Sequence, residues 1–70
     1  MTLETFINAF LEIEYDDKIY LTIIDKNKGD IIIDNTRLFN DVFKPYYDSY
    51  INCVYEVANK YHYIVVIYKG

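Results

Sequence analysis

"YHYIVVIY", residues 61–68, decides how this chain folds. Its odd positions Tyr63, Val65 and Ile67 are apolar, and so are its even positions Ile64, Val66 and Tyr68. A strand with one wet face alternates, whereas a strand covered on both faces does not. Residues 61–68 therefore read as a central strand, and the rest of the chain has to supply neighbours on both sides of it. The stretch just before it, "YINCVYEV" at 50–57, is its hairpin partner, with the turn near Ala58, Asn59 and Lys60. Asn52 and Glu56 mark that partner as an edge strand.

A second hairpin lies upstream. "KIYLTII" at 18–24 sets Ile19, Leu21 and Ile23 against Tyr20, Thr22 and Ile24, with the β-branched bias of a strand. "DKNKGD" at 25–30 offers Asn27 and Gly29, residues that tolerate positive φ in a turn. "IIID" at 31–34 is a short return strand between acids, which suits an edge. With 18–24 the next most apolar strand, the spatial order in chain numbering is 2-1-4-3.

Two helices complete the reading. Leu3, Phe6, Ile7, Phe10 and Leu11 share one helical face, Thr2 can cap it, and Glu4 sits in the first turn. "EIEYDD" then leads out through an acidic connection. "DNTRLFNDVF" at 34–43 is read as a second helix capped by Asn35 or Thr36, with Leu38, Phe39, Val42 and Phe43 as its apolar face. Pro45 should end it, because the residue before proline avoids the helical region. The expected fold is a single α+β domain over residues 1–70, in the order α-β-β-α-β-β. Its four-stranded, mainly antiparallel sheet carries both helices on one face. The halves look alike in layout, each opening with paired phenylalanines, Phe6/Phe10 and Phe39/Phe43.

Composition narrows what such a domain can be. One cysteine, Cys53, permits no internal disulfide, and one cysteine with one histidine makes no zinc pattern. The opening "MTLETFINAFLEIE" lacks the basic start of a signal peptide. No apolar run approaches the roughly twenty residues that span a bilayer. A reducing, cytoplasmic setting in a host bacterial cell is the expectation, with no membrane partner and no cofactor. Ile, Tyr, Asn, Lys and Phe dominate while Ala, Gly, Arg and Pro are scarce. That pattern follows AT-rich codons and explains part of the tyrosine count.

The net charge of −4 is unevenly placed. Glu12, Glu14, Asp16, Asp17, Asp25, Asp30 and Asp34 face only Lys18, Lys26 and Lys28, while the rest of the chain balances. Phosphate backbones need clustered cations, so direct nucleic-acid binding is not expected. A basic protein surface suits such an arc.

Two short helices cover one face of four strands. With Ile19, Leu21, Ile23, Ile31, Ile33, Ile51, Cys53 and Val57 turned to the helices, Tyr20, Thr22, Ile24, Ile32, Asn52, Val54 and Glu56 are left on the other side. The final strand adds either Tyr63, Val65 and Ile67 or Ile64, Val66 and Tyr68 to them. That surface is half apolar, of the kind that marks an interaction site. Tyrosine suits it, since the ring buries area while the hydroxyl tolerates water. "KPYYDSY" at 44–50 is a separate candidate, a recognition loop bearing Tyr46, Tyr47, Asp48 and Tyr50 after a proline.

No catalytic constellation stands out. Cys53 should lie opposite residue 66, leaving His62 four residues along, about 13 Å away at about 3.3 Å per residue. Cys53 reads as a small core residue and His62 as solvated beside a turn. Ser49 has no glycine-rich elbow. "DKNKGD" lacks the fifth ligand and closing glutamate of a calcium loop. With two glycines in the chain there is no phosphate cradle.

The opening "TLETFINAF", the strand "LTIIDKNKGDIII", the helix with paired aromatics and the closing "CVYEV…YIVVIY" hairpin resemble small acidic proteins of phages and mobile elements from AT-rich Gram-positive bacteria. Anti-CRISPR and other anti-defence inhibitors are similar in size and acidity. The resemblance implies a non-enzymatic inhibitor of a basic host protein, such as a nucleic-acid-binding enzyme. The expected contact residues are Glu12, Glu14, Asp16, Asp17, Tyr20, Asp30, Asp34, Tyr46, Tyr47, Asp48 and Tyr50. The alternative is an assembly protein that forms a homodimer through its uncovered sheet face.

Overall fold

The computed structural model describes residues 1–11, 18–38, 40–57 and 61–69, with Phe10 and Leu11 as backbone only. The expected acidic connection 12–17, Phe39 and the turn at 58–60 lie outside the described residues. Helix α1 spans Leu3–Leu11, and strands β1 to β4 span Tyr20–Asp25, Ile31–Arg37, Ile51–Glu56 and His62–Ile67. A short 3-10 helix, Asp41–Tyr46, lies between β2 and β3.

The four strands form one sheet in the order β2-β1-β4-β3, as the apolar ranking of the strands implies. The sheet is mixed, which corrects the expected antiparallel bias. β1–β2 and β3–β4 are antiparallel, but the central pair β1–β4 is parallel, with Tyr20 beside His62 and Asp25 beside Ile67. The connection from β2 to β3 explains this. Leu38 donates its N–H to the Ile19 carbonyl at one end of the sheet, and the Tyr50 carbonyl accepts from Tyr68 at the other, both at 2.9 Å. The crossover thus runs the length of the sheet and starts β3 in the same direction as β2. Leu38 and Phe43 on the crossover are buried against it.

The core forms where the helices meet this face. Leu3 and Ile7 of α1, Phe43 of the 3-10 helix, Leu21 and Ile23 of β1, and Val65 and Ile67 of β4 make one buried cluster. Phe6 adds an edge-to-face contact on Tyr63, with ring centroids 6.2 Å apart. The expected Thr2 cap forms, for its hydroxyl accepts the Thr5 N–H at 3.3 Å. The Leu3 and Glu4 N–H groups, which no helical carbonyl can reach, bond to the Ser49 and Tyr47 carbonyls. The start of α1 is thereby fixed to the end of the crossover.

The second helix departs from expectation. β2 continues through Thr36 and Arg37, paired with Leu21 and Tyr20, so the residues expected as the first helical turn are strand. Asn40 caps instead, its Oδ1 accepting from the Val42 N–H at 3.1 Å. Pro45 does not end the helix but lies inside it. Its fixed φ suits a 3-10 turn, and a six-residue 3-10 helix has few bonds to lose to a missing N–H. Leu38 and Phe43 are buried as a helical face would require, but Val42 is 46% exposed.

Irregularities on the edge strands redistribute side chains. The β1–β2 register slips between Leu21 and Ile23 and again between Ile23 and Ile24. Ile32 and Ile33 both pack on the core, while Ile31 pairs with Ile24 on the far face and is 58% exposed. The β3–β4 register slips between Ile51 and Cys53. Past it, Val54 and Glu56 align with Val65 and Tyr63 on the helix side, and Cys53 and Tyr55 with Val66 and Ile64 on the other. Cys53 is therefore a half-buried residue of the open face and not a core residue.

Candidate binding surfaces

Both helices pack on the face of Leu21, Ile23, Val65 and Ile67. Register places Tyr20, Thr22 and Ile24 of β1 on the other face, beside His62, Ile64 and Val66 of β4. Cys53 and Tyr55 of β3 and Ile31 and Arg37 of β2 complete it. Among the described residues no helix lies on this side. Its middle is aliphatic and its margins carry aromatic rings, Tyr55 being 58% exposed. Tyr20 is held at one corner by Arg37, whose Nε donates to the phenol oxygen at 3.3 Å and whose guanidinium lies 6.0 Å from the ring centroid.

Within this face sits a polar knot. Thr22, only 4% exposed, donates its hydroxyl to Asp34 Oδ1 at 3.2 Å and accepts from the Asn35 N–H at 2.9 Å. His62 Nε2 lies 2.7 Å from the same oxygen. A hydroxyl has one proton and two lone pairs, so with its proton on Asp34 the remaining lone pair receives His62 Nε2–H. Asn35 reaches the knot by adopting φ +40°, a left-handed conformation that asparagine tolerates. The expectation of a solvated His62 is thus corrected. Threonine, histidine and aspartate here resemble a catalytic triad only in composition. In a triad the acid orients the histidine, whereas Asp34 bonds to Thr22. The knot ties β1, β2 and β4 together.

A second surface lies at the end of the crossover. Pro45, Tyr46, Asp48, Ser49, Tyr50, Tyr68 and Lys69 enclose a groove of about 600 Å³, open to solvent. Its walls are anchored. Tyr50 pairs with Thr2 in an isolated bridge, and the Tyr68 hydroxyl accepts from Asn52 Nδ2 at 2.6 Å.

The residues expected to make contact separate into distinct places. Glu12, Glu14, Asp16 and Asp17 lie outside the described residues. Tyr20 and Asp34 belong to the open face and its rim, and Asp30 is exposed in the β1–β2 turn. Tyr46, Asp48 and Tyr50 come together in the groove. Tyr47 does not join them and is half-buried against the core. The sequence reading missed Thr22, His62 and Asn35 as a knot, and Tyr68 and Lys69 as groove walls.

Two phenols are shifted. Tyr63 is raised above 10.0 by burial, then by its hydrogen bond to Glu56 and that group's charge. Tyr55 is raised by its hydrogen bond with Cys53, by the charge of that group and by burial. Among the described residues no three of His, Cys, Asp and Glu stand close enough to share a metal ion. No described helix is long and apolar enough to cross a membrane. Comparison with family models, with curated proteins and with solved structures finds no match for this chain.

Proposed function

We propose that this chain is a non-catalytic protein-binding module of phage or mobile-element origin that inhibits a basic host protein in the bacterial cytoplasm. One observation carries the reading. The sheet keeps an aliphatic centre of Ile24, Ile64 and Val66, bordered by tyrosines, on the side away from both helices. An apolar centre with an aromatic and polar rim is how protein interfaces are built. Asp34 bonds to Thr22 and not to His62, which is not the order of a catalytic triad and favours binding over catalysis. Charge sets the kind of partner. The described residues hold seven acids against six bases, so most of the net −4 comes from Glu12, Glu14, Asp16 and Asp17. Those four carboxylates would steer a basic surface and take places meant for phosphates.

The test is affinity capture from a bacterial lysate, followed by binding measurements on the purified partner. Ile64→Lys should abolish complex formation. Reversing Asp16 and Asp17 to lysine should slow association and flatten its salt dependence. A partner that binds both variants at the wild-type rate would defeat the reading. A second reading, a homodimer through the same face, is favoured by the exposure of Ile31 and Tyr55 there. Light scattering during size-exclusion chromatography decides it, since a monomer at all concentrations excludes self-pairing.

A further inference from the structure

We propose that the tyrosine groove is a receptor for an extended, proline-containing peptide segment with a basic residue at one end, bound as a polyproline II helix. This rests on the protein-binding reading above and names the chemistry of one partner segment.

The lining chooses among occupants. Tyr46, Tyr50 and Tyr68 give flat rings beside Pro45, and no Leu, Ile, Val, Met or Phe lines the groove. An amphipathic helix docks aliphatic anchors into aliphatic sockets, which this groove lacks. Strand addition requires a run of free backbone donors, and three beside the groove are already used. Ser49 N–H bonds to the Tyr46 carbonyl, Ile51 N–H to that of Met1, and Tyr68 N–H to that of Tyr50. Recognition here must come from side chains.

A polyproline II segment meets those terms. It has no internal hydrogen bonds, so its carbonyls look outward for donors. The hydroxyls of Tyr46 and Tyr50 have no hydrogen-bond partner among the described residues and can donate to them. Proline rings fit between flat aromatic walls and are already ordered, which lowers the entropy lost on binding. The walls are ordered as well, through the Thr2 bridge to Tyr50 and the Asn52 bond to Tyr68.

Charge adds a preference. Asp48 and Lys69 both line the groove, and neither has an ion-pair partner among the described residues. Asp48 attracts a basic residue of the segment, and Lys69 suits a backbone carbonyl or carboxylate beside it.

The experiment uses a fluorescein-labelled, end-blocked decapeptide of sequence RRPPAPPAPP, titrated with the full chain and followed by anisotropy. Binding should fall between about 1 µM and 1 mM, the range open to a short, side-chain-read ligand. Tyr50→Ala and Tyr68→Ala should each weaken it at least ten-fold. Both rings are substantially exposed, at 63% and 45%, so both variants should fold, which circular dichroism verifies. Tyr50→Phe, which keeps the ring and loses the donor, should fall between wild type and Tyr50→Ala. Asp48→Asn should weaken this probe but leave one with alanines for arginines unchanged. Equal binding of RRAGAAGAGA would reduce the effect to charge and overturn the proposal. So would no binding at 1 mM, or a Tyr50→Ala curve that overlays wild type. Capture of a partner that Ile64→Lys releases and Tyr50→Ala does not would sink the groove and leave the open face standing.

Discussion

Removing one hydroxyl, Thr22→Val, tests whether the polar knot is what holds the sheet together. Valine copies threonine's shape, suits a strand, and stands on an aliphatic face beside Ile64, so packing alone makes the change neutral or favourable. The hydrogen bonds oppose it. The Asn35 N–H loses its acceptor at 2.9 Å and is held by a φ of +40° where it cannot simply turn away. A stranded donor of this kind costs about 1–3 kcal/mol. Asp34 and His62 also lose a partner, but Asp34 is exposed and regains water, so its share is small. Allowing for a gain of about 0.8 kcal/mol for one more buried carbon, the net loss is about 1 kcal/mol. In a domain of this size that lowers Tm by roughly 4–8 °C. Circular dichroism during thermal and urea unfolding reads it, and Thr22→Ser serves as control. Serine keeps every hydrogen bond and loses a methyl group, about 0.8 kcal/mol, so it measures the packing share on its own. If valine equals or exceeds wild type, the knot contributes nothing and the reasoning fails.

Other outcomes follow from single positions. Phe43→Ala opens the centre of a core in which that ring is fully buried, and about 3–5 kcal/mol of lost stability should leave the chain largely unfolded by circular dichroism. Gly29→Ala forces a side chain onto φ +73°. Although no atom lies within 4 Å of the new carbon, backbone strain should cost about 1–2 kcal/mol in urea unfolding. Tyr63 has its folded pKa raised, so the folded state keeps a proton that the unfolded chain releases. Its contribution is complete below pH 10.0 and is lost as pH rises beyond it, so a Tm series from pH 9 to 12 should fall less steeply in Tyr63→Phe. Ile64→Lys puts a charge on a half-buried position of central β4, so it should lower Tm measurably while leaving the fold intact by circular dichroism, and should abolish any concentration-dependent self-association.

Strand order was legible because it depends on burial, and burial leaves a pattern of apolar residues. Ile64, Val65, Val66 and Ile67 in a row place β4 in the middle without reference to any contact. The direction of β3 was not legible, because it depends on how far the crossover travels before the chain turns. Pro45 reads as a stop in an α-helix and as a permitted residue in a 3-10 helix, and the sequence around it fits both. The Thr22 knot escaped notice for another reason. Thr22 and His62 are forty residues apart and meet only because β1 and β4 run parallel. Asn35 meets them only through its left-handed backbone. None of the three sits in a motif.

The edge strands bring these points together. Period-two alternation assigns the face of β1 and groups the residues of β4 without choosing between its two faces; Leu21, Ile23, Val65 and Ile67 all reach the core. It fails on β2 and β3, where a slip of one residue exchanges the two faces. That is how Cys53 moved outward and Ile32 moved inward. The slips also bear on function. An edge with an irregular ladder is a poor template for another strand, and bulges are among the devices that keep edges from pairing. Both edges of this sheet carry them. A partner, or a second copy, therefore has little to gain by extending the sheet sideways. The surfaces left for recognition are those where side chains do the reading: the aliphatic face around Ile64 and the ring-lined groove of Tyr46, Tyr50 and Tyr68.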